Sequence, residues 1–258
     1  MRAQAIDPKF LLESARLAGE AILEIYARDF SVVEKDDRSP LTEADRRSHE
    51  ILCAALAERY PDLPILSEES KAAPYAERHG WPAFWLIDPL DGTKEFIKKN
   101  GEFTVNIALV EGGEPTLGVV LQPAAGIAYW GRRGEGAFRR DAAGERRIEG
   151  GAHYAALPKV RVVGSRSHLT PEVEAFTESL RAAGKEVEFR SAGSSLKLCL
   201  VAEGAADVYP RFGPTMEWDT AAAQAVAEAA GRKVLAHPGG DPLRYNKPDL
   251  LNPWFVVE

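Results

Sequence analysis

The stretch Trp85–Phe96, which reads W-L-I-D-P-L-D-G-T-K-E-F, constrains the fold more than any other part of the chain. The apolar run Trp85–Ile87 is typical of the end of a buried strand. Asp88 and Asp91 follow where the backbone is expected to leave the sheet, and Pro89 stiffens the turn between them. The pattern therefore predicts a buried strand that ends in a rigid loop carrying two carboxylates.

Two carboxylates on one loop indicate a site for a hard divalent cation. Mg²⁺ takes oxygen ligands and keeps positions open for water and substrate phosphate. Gly92 lets the backbone approach a bound phosphate, and Thr93 offers a hydroxyl there. An isolated D-P-x-D is more often an acidic turn that caps a strand. Further motifs in the chain are therefore needed to distinguish a cation site from such a turn.

Two other known motifs fail on spacing. A calcium-binding EF-hand loop with its glycine at Gly92 would begin at Ile87, which is not an acidic ligand. Phosphatases of the haloacid dehalogenase type carry D-x-D-G-T, but here Pro89 occupies the position of the nucleophilic aspartate. An aspartyl-phosphate intermediate is therefore excluded at this loop, and no cysteine lies in a phosphate-binding loop. The mechanism that remains for phosphate hydrolysis is attack by a metal-activated water.

The D-P-L-D-G-T motif resembles the first signature of the inositol monophosphatase superfamily, and further segments of that family follow in its order and approximate spacing. These are S-P-L-T-E-A-D (Ser39–Asp45), L-S-E-E-S (Leu66–Ser70) and the second signature W-D-T-A-A-A (Trp218–Ala223). The resemblance covers essentially the whole chain. It implies an α/β (α+β) fold, the inositol monophosphatase-like layered α/β/α/β/α sandwich. We expect one domain, 1–258, with two lobes at about 1–150 and 151–258 and the active site between them.

Other segments resemble one branch of the superfamily, the bacterial 3'(2'),5'-bisphosphate nucleotidases of the CysQ type. The segments are Lys94–Phe96, Asn100–Leu109, Ser165–His168, Gly193–Gly204 and Asp207–Thr215. A small departure is Met216-Glu217 before the second signature, to which no function is assigned. The branch implies Mg²⁺-dependent hydrolysis of the 3'-phosphate of adenosine 3',5'-bisphosphate to AMP, in recycling a by-product of sulfate assimilation. It also implies inhibition by Li⁺.

The resemblance also implies a set of site residues. Two or three Mg²⁺ ions would be held by Glu68, Asp88, the Leu90 carbonyl, Asp91 and Asp219. Asp45 and Thr93 would form a dyad that, with Glu68, activates the attacking water. By itself, Asp45 would be a helix-start carboxylate, Thr93 a turn residue and Asp219 a helix N-cap.

Substrate contacts are implied for a larger set of residues. The set is Glu68, Asp91, Gly92, Thr93, Lys94, His168, Ser194, Lys197, Arg211 and Asp219. Arg211 suits bidentate recognition of a phosphate, whereas Lys94 and Lys197 act as point charges. Taken singly, such cations are usually solvated and a lone histidine is usually structural. An inositol monophosphatase or broad sugar phosphatase stays open as an alternative, as does, more remotely, a non-catalytic nucleotide or metal sensor.

Charge and composition limit the partners. The net charge of −7 argues against polymeric nucleic acid, which usually needs a basic face. A small phosphorylated nucleotide remains suitable because bound cations offset the acidic site. We expect the two cysteines, Cys53 and Cys199, to be reduced, and we find no signal peptide or membrane span. These features predict a cytoplasmic enzyme. They leave open whether it is a monomer or a homodimer and whether it associates peripherally with the inner membrane.

Hydrophobic periodicity predicts a mixed order of elements. Helices are expected at Phe10–Tyr26, from the Thr42 cap to Arg59, at Pro171–Ala183, Ser194–Glu203 and Asp219–Ala230. Strands are expected at Pro64–Leu66, Phe84–Ile87, Phe103–Val110, Thr116–Leu121, Ile127–Trp130, Val160–Val163, Val187–Phe189 and Ala206–Tyr209. The glycine-containing stretch Asp141–Pro158 is interpreted as the seam between the lobes.

Overall fold

A computed structural model of the chain describes residues 6–34, 40–165 and 170–258. The helices in this part of the chain are α1 (Pro8–Tyr26), α2 (Glu43–Arg59), α3 (Tyr75–Arg78), α4 (Thr93–Ile97), α5 (Pro171–Ala182), α6 (Leu196–Ala202) and α7 (Glu217–Ala229). The strands are β1 (Val32–Glu34), β2 (Pro40–Thr42), β3 (Ile65–Ser67), β4 (Ala83–Asp91), β5 (Thr104–Glu111), β6 (Glu114–Gln122), β7 (Ile127–Arg132), β8 (Gly136–Asp141), β9 (Gly144–Ile148), β10 (Lys159–Gly164), β11 (Glu186–Ser191), β12 (Tyr209–Arg211), β13 (Val234–Ala236) and β14 (Phe255–Val257).

Strands β3 to β9 form a seven-stranded sheet in chain order. The β3–β4 pair is parallel and the other neighbours are antiparallel. Side chains alternate across the sheet, so Phe84 and Leu86 lie in one buried cluster and Trp85 and Ile87 lie in another. Because helices cover both faces, β4 reads as a continuous apolar run.

Helices α1 and α2 cover one face of the sheet, and both begin at a polar cap. Asp7 accepts a hydrogen bond from the N–H of Lys9 at the start of α1. Thr42 accepts one from the N–H of Ala44 at the start of α2, as its sequence predicts. The predicted helices Phe10–Tyr26 and Thr42 to Arg59 are confirmed within two residues.

Helices α6 and α7 cover the opposite face, and two glycines let α7 approach unusually closely. Gly118 of β6 and Gly131 of β7 are directly paired across the sheet. A Cβ at Gly118 would lie 2.1 Å from the carbonyl oxygen of Ala222, and one at Gly131 would lie 2.7 Å from the Cα of Val226. The helix backbone therefore rests against the strand backbone, which sets the distance between α7 and the sheet.

A second β layer lies beyond α6 and α7. It consists of the parallel pair β10–β11 and the antiparallel set β12–β14–β13, joined by a bridge between Val162 and Val208. Helix α5 packs on its outer side through Val173 and Leu180. The layers therefore follow the order α/β/α/β/α, and the predicted sandwich is confirmed.

The structure corrects two local predictions. Strand β4 does not end before the aspartates but continues through Asp91. The stretch Asp141–Pro158 contains β9, the outer strand of the large sheet, whose exposed charged residues lack an apolar alternation. The two halves of the chain also share one buried cluster, in which Leu86 and Val257 both lie. None of the described helices combines the length and apolar character needed to cross a membrane.

Candidate active site

Three carboxylates from three elements converge at one edge of the large sheet. Glu68 follows β3 and Asp88 lies on β4, and the parallel pairing of these strands brings both residues to the same edge. Asp219, on the first turn of α7, approaches from the other side of the cleft. Ligand oxygens of the three residues lie within 4.8 Å of one another. Such a group matches the requirements of a hard cation.

An irregularity in β4 produces this arrangement. Asp88 pairs with Asn106 and Asp91 pairs with Thr104, so the register shifts between the two aspartates. Pro89 lies in this interval and lacks the N–H that a regular ladder needs. Asp88 Oδ1 accepts a hydrogen bond from the N–H of Leu90 at 3.0 Å. Its Oδ2 is buried and makes no hydrogen bond with the described residues.

Burial and mutual repulsion act on the charges of these carboxyl groups. Burial, then the charges of Glu68 and Asp91, raise the pKa of Asp88 well above its usual range. Burial and the Asp91 charge do the same to the pKa of Asp219. Burial raises the pKa of Asp91 to about 6, although Lys197 opposes the shift. A bound cation would remove much of this unfavourable energy.

Asp91 is held by residues that the sequence did not identify as part of the site. Its Oδ2 accepts a hydrogen bond of 2.5 Å from the N–H of Ser195. The Ser195 hydroxyl donates to Asn106 Oδ1 at 2.8 Å and lies 2.9 Å from the Thr104 hydroxyl. The signal was available, because Thr104 and Asn106 are two polar residues on the same side of an otherwise apolar strand.

The structure brings Asp45 and Thr93 together, although 48 positions separate them in the chain. Asp45 is the third residue of α2, and its Oδ2 accepts the N–H and the hydroxyl of Thr42 at 2.8 and 2.6 Å. Its Oδ1 accepts a hydrogen bond of 3.3 Å from the Thr93 hydroxyl. That hydroxyl also lies 3.4 Å from the carbonyl oxygen of Leu90. The pair therefore adjoins the backbone between the two aspartates of β4.

Gly92 lets the chain turn from β4 into α4. Its φ of 89° lies in the left-handed region. An added Cβ would lie 3.3 Å from the carbonyl oxygen of Glu102 and 3.3 Å from the Cβ of Ser194. Both strain and crowding therefore favour glycine at this position.

The carboxylates line a cleft of about 730 Å³ that continues into an inner pocket of about 150 Å³. Asp91, Lys94, Arg211 and Asp219 line both spaces. The inner pocket is also lined by Ser194, Ser195, Lys197 and Tyr209. Acidic and basic side chains therefore face the same connected space.

The inner pocket contains an unusually buried lysine. Lys197 is 6% exposed, and its ammonium group donates to the carbonyl oxygen of Ser194 at 2.6 Å. It lies 5.6 Å from the ring centroid of Tyr209. Burial, with Arg211 nearby, lowers the pKa of Lys197 to about 8 against the attraction of Asp91. The environment of Lys197 is that of a pocket wall, whereas most lysines are solvated.

Two further polar atoms in this wall are buried without a hydrogen-bond partner among the described residues. They are Ser194 Oγ and Arg211 Nε. Ser194 also has a φ of 46°, in the left-handed region that non-glycine residues seldom adopt. Strain and unpaired polar atoms together are typical of a site that receives a polar ligand.

Two residues that the sequence assigned to the site, His168 and Asp219, need separate comment. His168 lies outside the described residues, and of its segment only Ser165 is described, lining both spaces. Asp219 is not the first residue of its helix but the third, and it accepts the N–H of Met216 at 2.9 Å. Glu217, to which the sequence assigned no role, is completely buried.

Comparison with known proteins agrees with this architecture. Residues 8–254 match the model of the inositol monophosphatase family. The chain is 46% identical over 246 residues to the 3'(2'),5'-bisphosphate nucleotidase CysQ of Escherichia coli K12, covering 94% of this chain and 96% of that protein. The crystal structure of CysQ from Bacteroides thetaiotaomicron is similar, with 48% identity, a TM-score of 0.86, and coverage of 97% of this chain and 96% of that one. Since the match spans nearly all of its length, the chain belongs to the inositol monophosphatase family.

Proposed function

We propose that this chain is a Mg²⁺-dependent 3'(2'),5'-bisphosphate nucleotidase. It would hydrolyse the 3'-phosphate of adenosine 3',5'-bisphosphate to give AMP and phosphate. The observation that carries the proposal is the continuity of the carboxylate cluster with a basic inner pocket, which suits a substrate with two phosphates. The similarity to the CysQ nucleotidases supports the same assignment.

The carboxylate cluster fits Mg²⁺. Asp88 Oδ2 is buried with no partner among the described residues, and the oxygens of Glu68, Asp88 and Asp219 lie within 4.8 Å of one another. These side chains, with Asp91 and the Leu90 carbonyl, would hold two or three ions. When bound, Mg²⁺ supplies Lewis-acid stabilisation of the phosphoryl oxygens and lowers the pKa of water. The protein supplies the geometry.

The Asp45–Thr93 pair would act on the attacking water. Thr42 holds one oxygen of the Asp45 carboxylate, so the other is directed at the Thr93 hydroxyl. Because the Thr93 hydrogen is engaged by Asp45, the Thr93 oxygen is free to accept a proton from water, while its own proton shifts toward Asp45 Oδ1. Glu68, at the same edge, would orient the water toward the phosphorus atom.

The inner pocket would hold the second phosphate. Lys197 and Arg211 supply positive charge. Ser194 Oγ and Arg211 Nε, which have no partner among the described residues, offer hydrogen-bond donors. The lowered pKa of Lys197 would return toward its ordinary value when an anion binds beside it. Lys94 is exposed and lines both spaces, so it would contact the substrate from the outer side. Binding of His168 to the substrate stays a prediction.

A broad sugar phosphatase or inositol monophosphatase is the second candidate, since it would use the same carboxylates. Its substrates have no second phosphate to engage Lys197 and Arg211. A non-catalytic sensor would not need the hydrogen-bonded Asp45–Thr93 pair. The arrangement of the basic pocket therefore favours the nucleotidase.

The test is phosphate release from adenosine 3',5'-bisphosphate and from inositol 1-phosphate, each with Mg²⁺ and with excess chelator. We expect a kcat/KM for the bisphosphate that exceeds the inositol phosphate value at least tenfold, with turnover abolished by chelation. Equal kcat/KM values would favour the broad phosphatase, and turnover in chelator would overturn the metal assignment. The same assay with Li⁺ added should show inhibition.

A further inference from the structure

Glu217 is a completely buried carboxylate at the start of α7. Its Oε2 accepts the N–H of Asn246 at 2.6 Å, and its Oε1 accepts the N–H of Lys247 at 3.0 Å. The Lys247 ammonium group forms an ion pair with the same oxygen. The backbone N–H of Glu217 donates to the carbonyl oxygen of Leu250 at 2.9 Å. The first turn of α7 is thus tied to the segment 246–250.

Asn246 extends this connection to a distant part of the chain. Its side-chain carbonyl accepts a hydrogen bond from Arg78 Nη1 at 2.8 Å, and its amide donates to the Arg78 carbonyl at 2.6 Å. Arg78 is 2% exposed, and its Nη2 also donates to the carbonyl oxygen of Pro248. Asn246 has a φ of 64°, a left-handed conformation that asparagine tolerates better than most residues. We call this set of linked residues the clamp; its members are Arg78, Asn246, Glu217 and Lys247.

The clamp joins the two parts of the chain that carry the carboxylate cluster. Arg78 lies between Glu68 and Asp88 in the sequence, at the end of α3. Glu217 lies two residues before Asp219, in the same helical turn. The separation between Asp219 and the other two carboxylates therefore depends on how the clamp holds the α7 N-terminus against the 75–78 region.

We infer that the clamp is a positioning device for the metal site and that Glu217 is its central residue. The inference rests on the proposed function, in which Glu68, Asp88 and Asp219 hold Mg²⁺. Mg²⁺ demands nearly ideal octahedral geometry, so small changes in ligand separation reduce its affinity. Groups that orient metal ligands typically change metal affinity 10- to 100-fold when they are mutated.

A purely structural role for the clamp is the alternative. Buried ion pairs contribute little net stability, because the cost of removing both charges from water offsets their attraction. An apolar contact could join these segments equally well. The charged clamp offers something that an apolar contact lacks, since directional hydrogen bonds define the orientation of the helical turn that carries Asp219. The two roles predict different effects on Mg²⁺ binding.

The test compares Glu217→Gln with a matched control, Asp207→Asn. Asp207 is another buried carboxylate that accepts a backbone N–H and two side-chain N–H groups, all from Arg161, in the second β layer. The chemical change is the same, and both variants should lose stability. The first measurement is the Mg²⁺ dissociation constant, obtained by calorimetry on metal-free protein. The second is kcat at saturating Mg²⁺. We expect Glu217→Gln to weaken Mg²⁺ binding by about tenfold or more and the control by less than about twofold.

Asn246→Gly is the second variant. Glycine readily adopts the left-handed backbone conformation, and it keeps the backbone N–H that donates to Glu217. It removes only the two hydrogen bonds to Arg78, and we expect a smaller loss of Mg²⁺ affinity, with kcat largely recovered at saturating Mg²⁺. If Glu217→Gln does not fold, this variant decides the question alone.

Unchanged Mg²⁺ affinity in the variants would overturn the positioning role and leave a structural one. Wild-type protein that binds Mg²⁺ but releases no phosphate from adenosine 3',5'-bisphosphate would overturn the proposed function alone, because calorimetry still tests the clamp. Wild-type protein that does not bind Mg²⁺ would overturn both.

Discussion

Thr93 donates its hydroxyl hydrogen to Asp45 Oδ1 over 3.3 Å, although 48 positions separate the two residues in the chain. The other oxygen of Asp45 is held by the backbone and hydroxyl of Thr42 at the start of α2. One carboxylate therefore serves both as part of a helix cap and as the partner of a cleft hydroxyl. The cap fixes the rotation of the carboxylate, and the hydroxyl receives a defined orientation.

Asp45→Asn should reduce catalysis while leaving metal binding nearly intact. Loss of the carboxylate removes the group that polarises Thr93, so we expect kcat to fall roughly 10²- to 10⁴-fold. Asp91→Asn is the comparison, because a residue proposed to hold Mg²⁺ directly should lose both binding and turnover. The measurements are Mg²⁺ calorimetry and steady-state kinetics, with circular dichroism to confirm folding. Equal loss of Mg²⁺ binding in both variants would contradict the division of roles.

The stabilising effect of Mg²⁺ should increase with pH. Burial raises the pKa of Asp91 from 3.8 to about 6 in the metal-free protein. A carboxyl group whose pKa is raised by folding stabilises the folded state at pH values below the pKa that it has in the unfolded chain. That contribution is lost as the pH rises through about 6, the pKa in the folded protein. Mg²⁺ binds the ionised carboxylate, so it should raise Tm more at about pH 7.5 than at about pH 5. Calorimetric scans with Mg²⁺ and with chelator test this, and equal shifts at both pH values would argue against it.

Lys197→Ala should discriminate between substrates with one and two phosphates. A charge-assisted hydrogen bond to the second phosphate contributes about 1.5–3 kcal/mol, or roughly a 10- to 100-fold change in kcat/KM. Most of the loss should fall in KM, because that phosphate keeps its charge during the reaction. Lys159→Ala, a lysine paired with Glu186 and Glu188, is the control and should change neither parameter. Equal losses on adenosine 3',5'-bisphosphate and inositol 1-phosphate would assign Lys197 a general electrostatic role.

Gly118→Ala should destabilise the protein severely. The new Cβ would lie 2.1 Å from the carbonyl oxygen of Ala222, and neither backbone can move without disturbing the sheet or α7. Overpacking of this kind costs about 1–3 kcal/mol and occasionally more. Gly80→Ala is the control, since its Cβ would meet only the carbonyl oxygen of Glu77 at 3.8 Å. Urea unfolding measures both, and a free energy of unfolding unchanged by Gly118→Ala would refute the close packing.

Reasoning from local patterns identified the parts of the candidate site that lie close together in the chain, whereas the assignments of Asp45, Glu68 and Asp219 came from the family resemblance. Asp88, Asp91 and Thr93 share one short motif, and the Thr42 cap follows from local hydrogen-bonding chemistry. Ser195 and Glu217 were not recognised, because their roles depend on distant partners. Ser195 binds Asp91, 104 positions away, and Glu217 binds Asn246, 29 positions away. Local patterns predict local structure, whereas these contacts exist only after the layers have packed.

Edge and irregular strands were predicted least well for a related reason. Strand β9 carries exposed charged side chains and pairs on one side only, so it has no apolar alternation to detect. The continuation of β4 through Asp91 was missed because proline usually ends a strand, whereas here a shift in register accommodates Pro89. In both places the ladder of backbone hydrogen bonds, rather than side-chain burial, defines the element.

The contact of α7 with Gly118 and Gly131 also determines how the distance between this helix and the large sheet responds to mutation. No side chain separates helix from sheet at these positions, so no rotamer change or altered side-chain volume there can act as a spacer. The distance of α7 from the sheet is consequently set by main-chain contact, while the clamp orients the first turn of the helix, which carries Asp219. Substitutions of core side chains away from these glycines and from the clamp can therefore lower the free energy of unfolding while the helix keeps its distance from the sheet.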